Sequence, residues 1–79
     1  MKEVALTFKE FELLKYLTTH LGAAITRSEL MDKIWGIDFE GESRTLDVHI
    51  MTLRKKLGET GDYIRTVKNV GYRIEETQN

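Results

Sequence analysis

The chain has 79 residues and no cysteine, 32% of its residues are charged, and its formal net charge at pH 7 is −1. This length suits one small domain, and the lack of cysteine excludes disulfides, thiolate metal sites and cysteine nucleophiles. No apolar run approaches the roughly 20 residues that a membrane-spanning helix needs, so we expect a cytosolic domain with no membrane contact.

The first predicted elements are a short strand and a helix. Val4 to Leu6 has the composition of a strand, and Thr7 with Glu10 forms a capping box that begins the first helix. Gly22 follows the helix as a stop. Four apolar residues at helical spacing form its expected inward stripe: Phe11, Leu14, Leu17 and Leu21.

A second helix is predicted from Arg27 to Trp35, after an apolar connector over residues 23–25. Thr26 and Glu29 repeat the capping box, and Gly36 follows as the stop. Its inward residues are expected to be Leu30, Ile34 and Trp35. The loop over residues 36–42 then carries two glycines and three acids, and it is longer than the turn of the simplest helix-turn-helix.

The third helix is the most informative stretch of the sequence. Ser43 is its expected N-cap and Gly58 its stop. The inward stripe consists of Leu46, Ile50, Leu53 and Leu57. The opposite side carries Arg44, Val48, Met51 and Lys55, with Thr45 and Thr52 beside them. An outward face that mixes cations, apolar side chains and hydroxyls is suited to contact something other than water.

The chain is predicted to end in a β-hairpin. Gly61–Asp62 marks a turn, and the segments YIRTV and YRIE are rich in β-branched and aromatic residues. Residues 68–71 join them, where Asn69 and Gly71 can both adopt positive φ. The order strand, three helices and hairpin predicts an α+β fold.

The residues favour nucleic-acid binding over catalysis. His20 and His49 have no second ligand at metal spacing, and phosphate-binding loops and nucleophile motifs are absent. In contrast, positive charge is concentrated in residues 43–74, which hold seven basic and three acidic residues, whereas residues 1–42 hold five basic and eight acidic ones. An α-helix fits the major groove, where Val48 and Met51 can meet thymine methyls, and a hairpin tip with Lys68 and Asn69 can reach phosphates.

Four segments together resemble the OmpR/PhoB-type winged-helix effector domain of bacterial response regulators: TFKEFELLKYL, ITRSELMDKIWG, SRTLDVHIMTLRKKL and YIRTVKNVGYR. The resemblance covers residues 2–75. It implies a winged helix-turn-helix with three helices, a C-terminal hairpin wing and only a short N-terminal strand. It also implies a cytoplasmic regulator that is not an enzyme, has no cofactor and binds promoter DNA, usually as two copies on a direct repeat.

The resemblance also assigns roles to individual residues. The third helix would lie in the major groove, with Met51 and Lys55 facing the DNA, and the wing would contact the minor groove or the backbone. Family members can carry arginine where this chain has Met51 and Thr52, and glycine where it has Asn69. The matched positions are Arg44, Thr45, His49 and Arg54 for the DNA backbone, Val48 and Thr52 for bases, Thr66, Lys68 and Tyr72 for the wing, and Gly36, Asp38, Glu40 and Glu42 for a loop that can touch RNA polymerase.

Two expectations concern the wider protein. Family effector domains begin with a sheet of several strands and follow a receiver domain that a sensor kinase phosphorylates. We therefore expect one domain over residues 1–79 that is either a fragment of a longer regulator or a natural short form. The near-neutral charge keeps an alternative function open, a winged-helix interaction module that contacts RNA polymerase or another partner and binds DNA weakly.

Overall fold

The computed structural model describes residues 5–37, 39, 41 and 44–75. Three helices and a small antiparallel sheet form an α+β arrangement, the class that the sequence predicts. A π-helical turn continues the second helix, and a 3₁₀ stretch follows the third. The elements are α1 (Phe8–Thr19), β1 (Ile25–Thr26), α2 (Arg27–Leu30), the π-helical turn (Met31–Trp35), α3 (Arg44–Leu57), the 3₁₀ stretch (Gly58–Tyr63), β2 (Ile64–Val67) and β3 (Gly71–Ile74).

The sheet differs from the prediction in its third strand. Residues 25–26, which the sequence suggests are a connector, pair with β3, so that β3 lies between β1 and β2. The predicted N-terminal strand is not found at Ala5 and Leu6, and Val4 lies outside the described residues. Leu6 packs against the core instead.

Gly71 is needed for close strand packing. It pairs with Thr26, and a Cβ atom on it would lie 2.0 Å from the carbonyl oxygen of Ile25. Of the two residues that could adopt positive φ, Asn69 does so at 65° and Gly71 does not. β1 lies so close to Gly71 that this position has no room for a side chain. The turn of the hairpin is made at Asn69 instead.

The first helix begins as predicted but buries a different side. The Thr7 and Glu10 capping box is present, with bonds of 3.2 and 2.9 Å. Leu17 is buried and Leu14 packs against the core, but Phe11 and Leu21 are 51% and 46% exposed. Leu13 and Glu10 are buried in their place. The stripe prediction fails here because a charged residue lies on the inner side and is paired with Lys56 of α3 at 2.8 Å.

The second helical segment has the predicted bounds, Arg27 to Trp35, although its last turn is π-helical. Thr26 caps it by accepting a hydrogen bond from the Glu29 amide at 3.0 Å, while the Glu29 carboxylate accepts one from the Tyr16 hydroxyl. Gly36 ends the segment with φ 101°. The predicted burial of Leu30 and Ile34 is confirmed, and Trp35 packs against the core while remaining partly exposed.

The third helix supplies the centre of the core. Leu46, Ile50 and Leu53 are fully buried, and Leu57 packs against the cluster from the end of the helix. Gly58 ends the helix with φ 64°, as predicted, whereas the expected N-cap Ser43 lies outside the described residues. The predicted turn at residues 61–62 is part of the longer 3₁₀ stretch. Since one side of α3 is fully buried, its opposite side must face outward.

Candidate nucleic-acid interface

The outward face of α3 has the mixed character that the sequence predicts. Val48 and Met51 are 50% and 59% exposed, so this face offers two apolar side chains to a partner. Arg44 and Lys55 are exposed, and Thr45 and Thr52 are half-buried. A shallow concavity of about 350 Å³ lies at the start of this face and is lined by Arg44, Thr45, Val48 and His49. Cations, hydroxyls and apolar groups are thus available on one continuous helical surface.

His49 is held in one orientation on this surface. Its Nδ1 lies 2.8 Å from the carbonyl oxygen of Thr45. Because a carbonyl oxygen can only accept, Nδ1 must carry the hydrogen, and Nε2 is the ring nitrogen left for another contact. The ring also meets Trp35 edge-on, with centroids 5.0 Å apart. Trp35 therefore supports a residue of the candidate interface, a role that the sequence analysis did not assign to it.

Arg54 donates from Nε and Nη2 to groups inside the protein. Its Nε and Nη2 donate to the carbonyl oxygen of Ile64 at 3.0 and 2.8 Å, and Nη2 also donates to the Thr66 hydroxyl at 2.9 Å. The guanidinium carbon lies 5.6 Å from the ring centroid of Tyr72. These contacts tie α3 to β2 and β3, and Thr66 is exposed beside them.

Tyr72 is also turned inward. It is only 6% exposed, and its hydroxyl donates to Oδ1 of Asp47 at 2.6 Å. Asp47 also accepts hydrogen bonds from Nη1 and Nη2 of Arg27, and Nη2 lies 2.9 Å from Oδ2. The guanidinium lowers the pKa of the Asp47 carboxyl below its usual value, and burial, followed by the bond to Asp47, raises the pKa of Tyr72. Reasoning from the sequence missed this cluster, although an acid in the first turn of an otherwise basic helix was a signal.

The wing tip presents a cation and an amide to solvent. Val70 donates its amide to the Val67 carbonyl at 2.9 Å, which closes a four-residue turn that contains Lys68 and Asn69, both exposed. The Arg27 amide donates to the Val70 carbonyl at 3.1 Å. The turn is therefore anchored to the start of α2, and the Lys68 side chain extends outward from an anchored base.

Comparison with known proteins identifies the family. Residues 1–74 match the family model described as "Transcriptional regulatory protein, C terminal". The chain belongs to this family. Two similar relatives are the alkaline phosphatase synthesis transcriptional regulatory protein PhoP of Bacillus subtilis, 44% identical over 77 residues, and the regulatory protein VanRB of Enterococcus faecalis, 44% identical over 75 residues. The matches cover 94% and 95% of this chain but only 32% and 33% of the relatives, so the chain spans about a third of their length.

Solved structures agree with this assignment. The chain is similar to DrrB of Thermotoga maritima, an OmpR/PhoB homologue, with TM-score 0.83 and 31% identity over 95% of this chain and 35% of that one. It is also similar to the RstA DNA-binding domain of Klebsiella pneumoniae, solved with the RstA box, with TM-score 0.77 and 37% identity over 91% and 74% of the two chains. The predicted OmpR/PhoB-type winged-helix effector domain is confirmed.

The loop that follows the π-helical turn begins at Gly36. Gly36 has φ 101°, Ile37 is 84% exposed, and the Phe39 ring lies 6.2 Å from the Trp35 ring. The predicted polymerase-contact acids, Asp38, Glu40 and Glu42, lie outside the described residues.

The described ranges of the effector domain contain neither a metal-binding cluster nor a membrane-spanning helix. No group of three or more histidine, cysteine or acidic residues is placed there to hold a metal ion. No helix in these ranges has the length and apolar character needed to cross a membrane. The family consists of transcriptional regulators and is not a class of enzymes.

Proposed function

We propose that this domain binds specific double-stranded promoter DNA in the cytoplasm and regulates transcription without catalysis, with α3 in the major groove and the hairpin as a wing on the minor groove or the backbone. The observation that carries the proposal is the outward face of α3, where Val48 and Met51 are half exposed between Arg44 and Lys55. A solvated helix gains nothing from such apolar residues, whereas base edges and thymine methyls are suitable partners for them. The DNA complex of the related RstA domain supports the same assignment.

The geometry suggests a division of labour among the predicted contact residues. Val48, Met51 and Thr52 would face bases, because they lie on the outer surface and carry methyl, thioether or hydroxyl groups. Phosphates would be contacted by Arg44, Thr45, His49 and Lys55 on α3 and by Thr66 and Lys68 on the wing.

Arg54 and Tyr72 have a different place in the proposal. Nε and Nη2 of Arg54 already donate to Ile64 and Thr66, and the hydroxyl of Tyr72 donates to Asp47. We therefore propose that these two residues hold the contact surface in position, and that any contact of their own with DNA is secondary.

Salt dependence tests the proposal. A duplex enriched by the chain from a random pool serves as the probe, and binding is measured from low to high salt. Each lost phosphate contact should reduce the slope of log K against log salt by about 0.9. We expect this reduction for Lys55→Ala but not for Lys15→Ala, whose lysine is equally exposed on α1. Equal slopes in both variants would remove Lys55 from the interface, and a flat slope in the unchanged chain would favour the interaction-module alternative.

Base preference provides a second test. Because Met51 and Thr52 stand where relatives can carry arginine, these two positions offer no guanidinium fork for the two acceptors of guanine. We expect the enriched duplexes to favour thymine under α3, read through methyl and hydroxyl contacts. An invariant guanine contacted by this face would contradict the assignment.

We also propose partners in the wider regulator. Two copies would occupy a direct repeat, and a receiver domain with its sensor kinase would control them in a full-length protein, of which this domain is one part.

RNA polymerase would contact the loop over residues 36–42. The exposure of Ile37 supports the last point, since an 84% exposed isoleucine is a suitable apolar contact for another protein. Ile37→Ser should lower activated transcription in a reconstituted assay while leaving DNA affinity unchanged; a parallel loss of DNA affinity would count against a polymerase role.

A further inference from the structure

One carboxylate connects α3, which we call the recognition helix, to α2 and β3. Asp47 lies in the first turn of α3 and accepts hydrogen bonds from Arg27 at the start of α2 and from Tyr72 on β3. Nη1 and Nη2 of Arg27 and the hydroxyl of Tyr72 therefore converge on the two carboxylate oxygens of Asp47. The three side chains are each at least partly buried. Such charge-assisted bonds are short and directional, so they restrict orientation more than apolar packing does.

A second residue holds the same tyrosine from its other side. Arg54 follows Asp47 by seven positions, which places both on the same side of α3 at about 100° per residue. Arg54 lies 5.6 Å from the Tyr72 ring centroid and also donates to β2 through Ile64. The Tyr72 ring is thus held by Arg54 and its hydroxyl by Asp47. We call Asp47, Arg54 and Tyr72 the wing clamp.

The wing clamp joins the hairpin to α3 by polar contacts, and in the described residues the other side-chain contacts between the two are those of the apolar core. Pairing with β1 and the bond from the Arg27 amide fix the hairpin to the start of α2, so the clamp is the polar link that reaches α3 itself. The DNA contacts proposed above come from two places, the outer face of α3 and the tip at Lys68. Both can engage one duplex only when the tip has the correct separation from the helix.

We propose that Asp47 and Tyr72 are positioning residues that fix the separation between the recognition helix and the wing, and thereby the spacing between the DNA segments that each one reads. This rests on the proposed DNA-binding function. Because neither residue offers a free polar group to DNA, their loss should lower affinity through the fraction of molecules whose wing is correctly aimed.

The first test uses the free protein and does not depend on DNA. Tyr72→Phe removes one oxygen atom and keeps the buried ring, and Tyr63→Phe is the matched control, since Tyr63 is 39% exposed. Amide hydrogen exchange at Val70, whose N–H closes the wing turn, should become several-fold faster in Tyr72→Phe and stay unchanged in Tyr63→Phe. Equal exchange in the two variants would overturn the clamp, whatever the DNA experiments show.

The second test uses the duplex that the unchanged chain enriches. Tyr72→Phe should lose affinity by about tenfold if the correctly aimed wing falls to one tenth of the population. The salt slope should stay the same, because the bound complex still makes every phosphate contact, whereas loss of a contact lowers the slope by about 0.9. Inserting one base pair between the two contacted segments should weaken the unchanged chain more than the variant.

These outcomes separate the two proposals. If the unchanged chain enriches no duplex, the DNA-binding function fails, and the exchange experiment still decides whether the clamp holds the wing. If DNA binds but Tyr72→Phe keeps both the affinity and the spacing preference of the unchanged chain, the positioning role is overturned. Asp47→Asn should act in the same direction; if this variant fails to fold, Tyr72→Phe alone decides.

Discussion

Lys56, in the last turn of α3, is expected to stabilise the fold by pairing with a buried carboxylate. Its Nζ donates at 2.8 Å to Oε1 of Glu10, a carboxylate that is only 3% exposed, and at 3.1 Å to the carbonyl oxygen of Ala5. Lys56→Met keeps most of the aliphatic stem but leaves a buried carboxylate without its cation. The substitution should also weaken the cap of α1, because the same carboxylate accepts a hydrogen bond from the Thr7 amide.

The size of the effect follows from the exposure of the two partners. Removing one partner of a fully buried pair costs about 3–5 kcal/mol. Because the Lys56 side chain is 33% exposed and the Thr7 amide remains as a donor, we expect about 2 kcal/mol, below that range. The total free energy of unfolding of a domain of this length is about 4–12 kcal/mol. With a urea m-value of about 1 kcal/mol/M, the midpoint should fall by about 2 M.

Urea titration at neutral pH measures this shift, and Lys55→Met is the matched control. Lys55 is the preceding residue on the exposed face, so the control makes the same chemical change without touching Glu10. Equal midpoints for the two variants would refute the reasoning, since the buried carboxylate would then not need its partner. Replacing both members of the pair by methionine should recover part of the loss, because an apolar pair leaves no buried charge.

The same pair predicts a pH dependence. Lys56, followed by the Thr7 amide, lowers the pKa of Glu10 below its ordinary value of 4.5. The folded carboxyl therefore binds a proton less readily than the unfolded one, and its stabilisation is complete above about pH 5 and lost as the pH falls through the lowered folded value. In Lys56→Met only burial and the hydrogen bonds of Thr7 still act on the Glu10 carboxyl, so the stability gap between the two proteins should close on acidification. A constant gap from pH 7 to pH 3 would contradict this explanation.

Three substitutions measured by the same titration test the turns and caps. Gly71→Ala should cost about 3 kcal/mol, because its Cβ would lie 2.0 Å from the Ile25 carbonyl oxygen, and an unchanged midpoint would contradict that contact. Gly58→Ala meets no atom within 4 Å, so only its φ of 64° opposes it; we expect about 1 kcal/mol, and a loss equal to that of Gly71→Ala would argue against the distinction. Thr26→Ala should cost about 1 kcal/mol by removing the cap on the Glu29 amide, and Thr26→Ser should restore it.

Local signals in the sequence located the helices, because each start and stop depends on neighbouring residues. The Thr7 and Glu10 box and the glycines at 36 and 58 act within three or four positions of the helix end that they define. The inward stripe of α3 is equally local, because the helical spacing of its leucines and isoleucine defines it, and its first three residues are fully buried.

The features that the sequence did not reveal depend on distant partners. β1 has two residues, too few for a periodic pattern, and exists because β3 lies beside it more than 40 positions later. Glu10 could be buried only with Lys56, 46 positions away, so α1 turns Phe11 outward against its apolar character. In the candidate interface, sequence matching identified Tyr72 as important but could not show that its hydroxyl points inward.

The near-neutral net charge does not weigh against DNA binding, because the structure separates the charges. Three acids in the described ranges are occupied by pairing: Glu10 with Lys56, Asp47 with Arg27, and Glu75 with Arg65 and Arg73. The cations proposed to meet phosphates, Arg44, Lys55 and Lys68, are different residues, and all three are exposed. Phosphate binding depends on the charge at the contact surface and falls off within a Debye length of about 8 Å at physiological salt, so acids on other faces reduce it little. The same pairing has a structural result, because Asp47 holds the hydroxyl of the wing residue Tyr72 while Arg27 neutralises its charge beside the recognition helix.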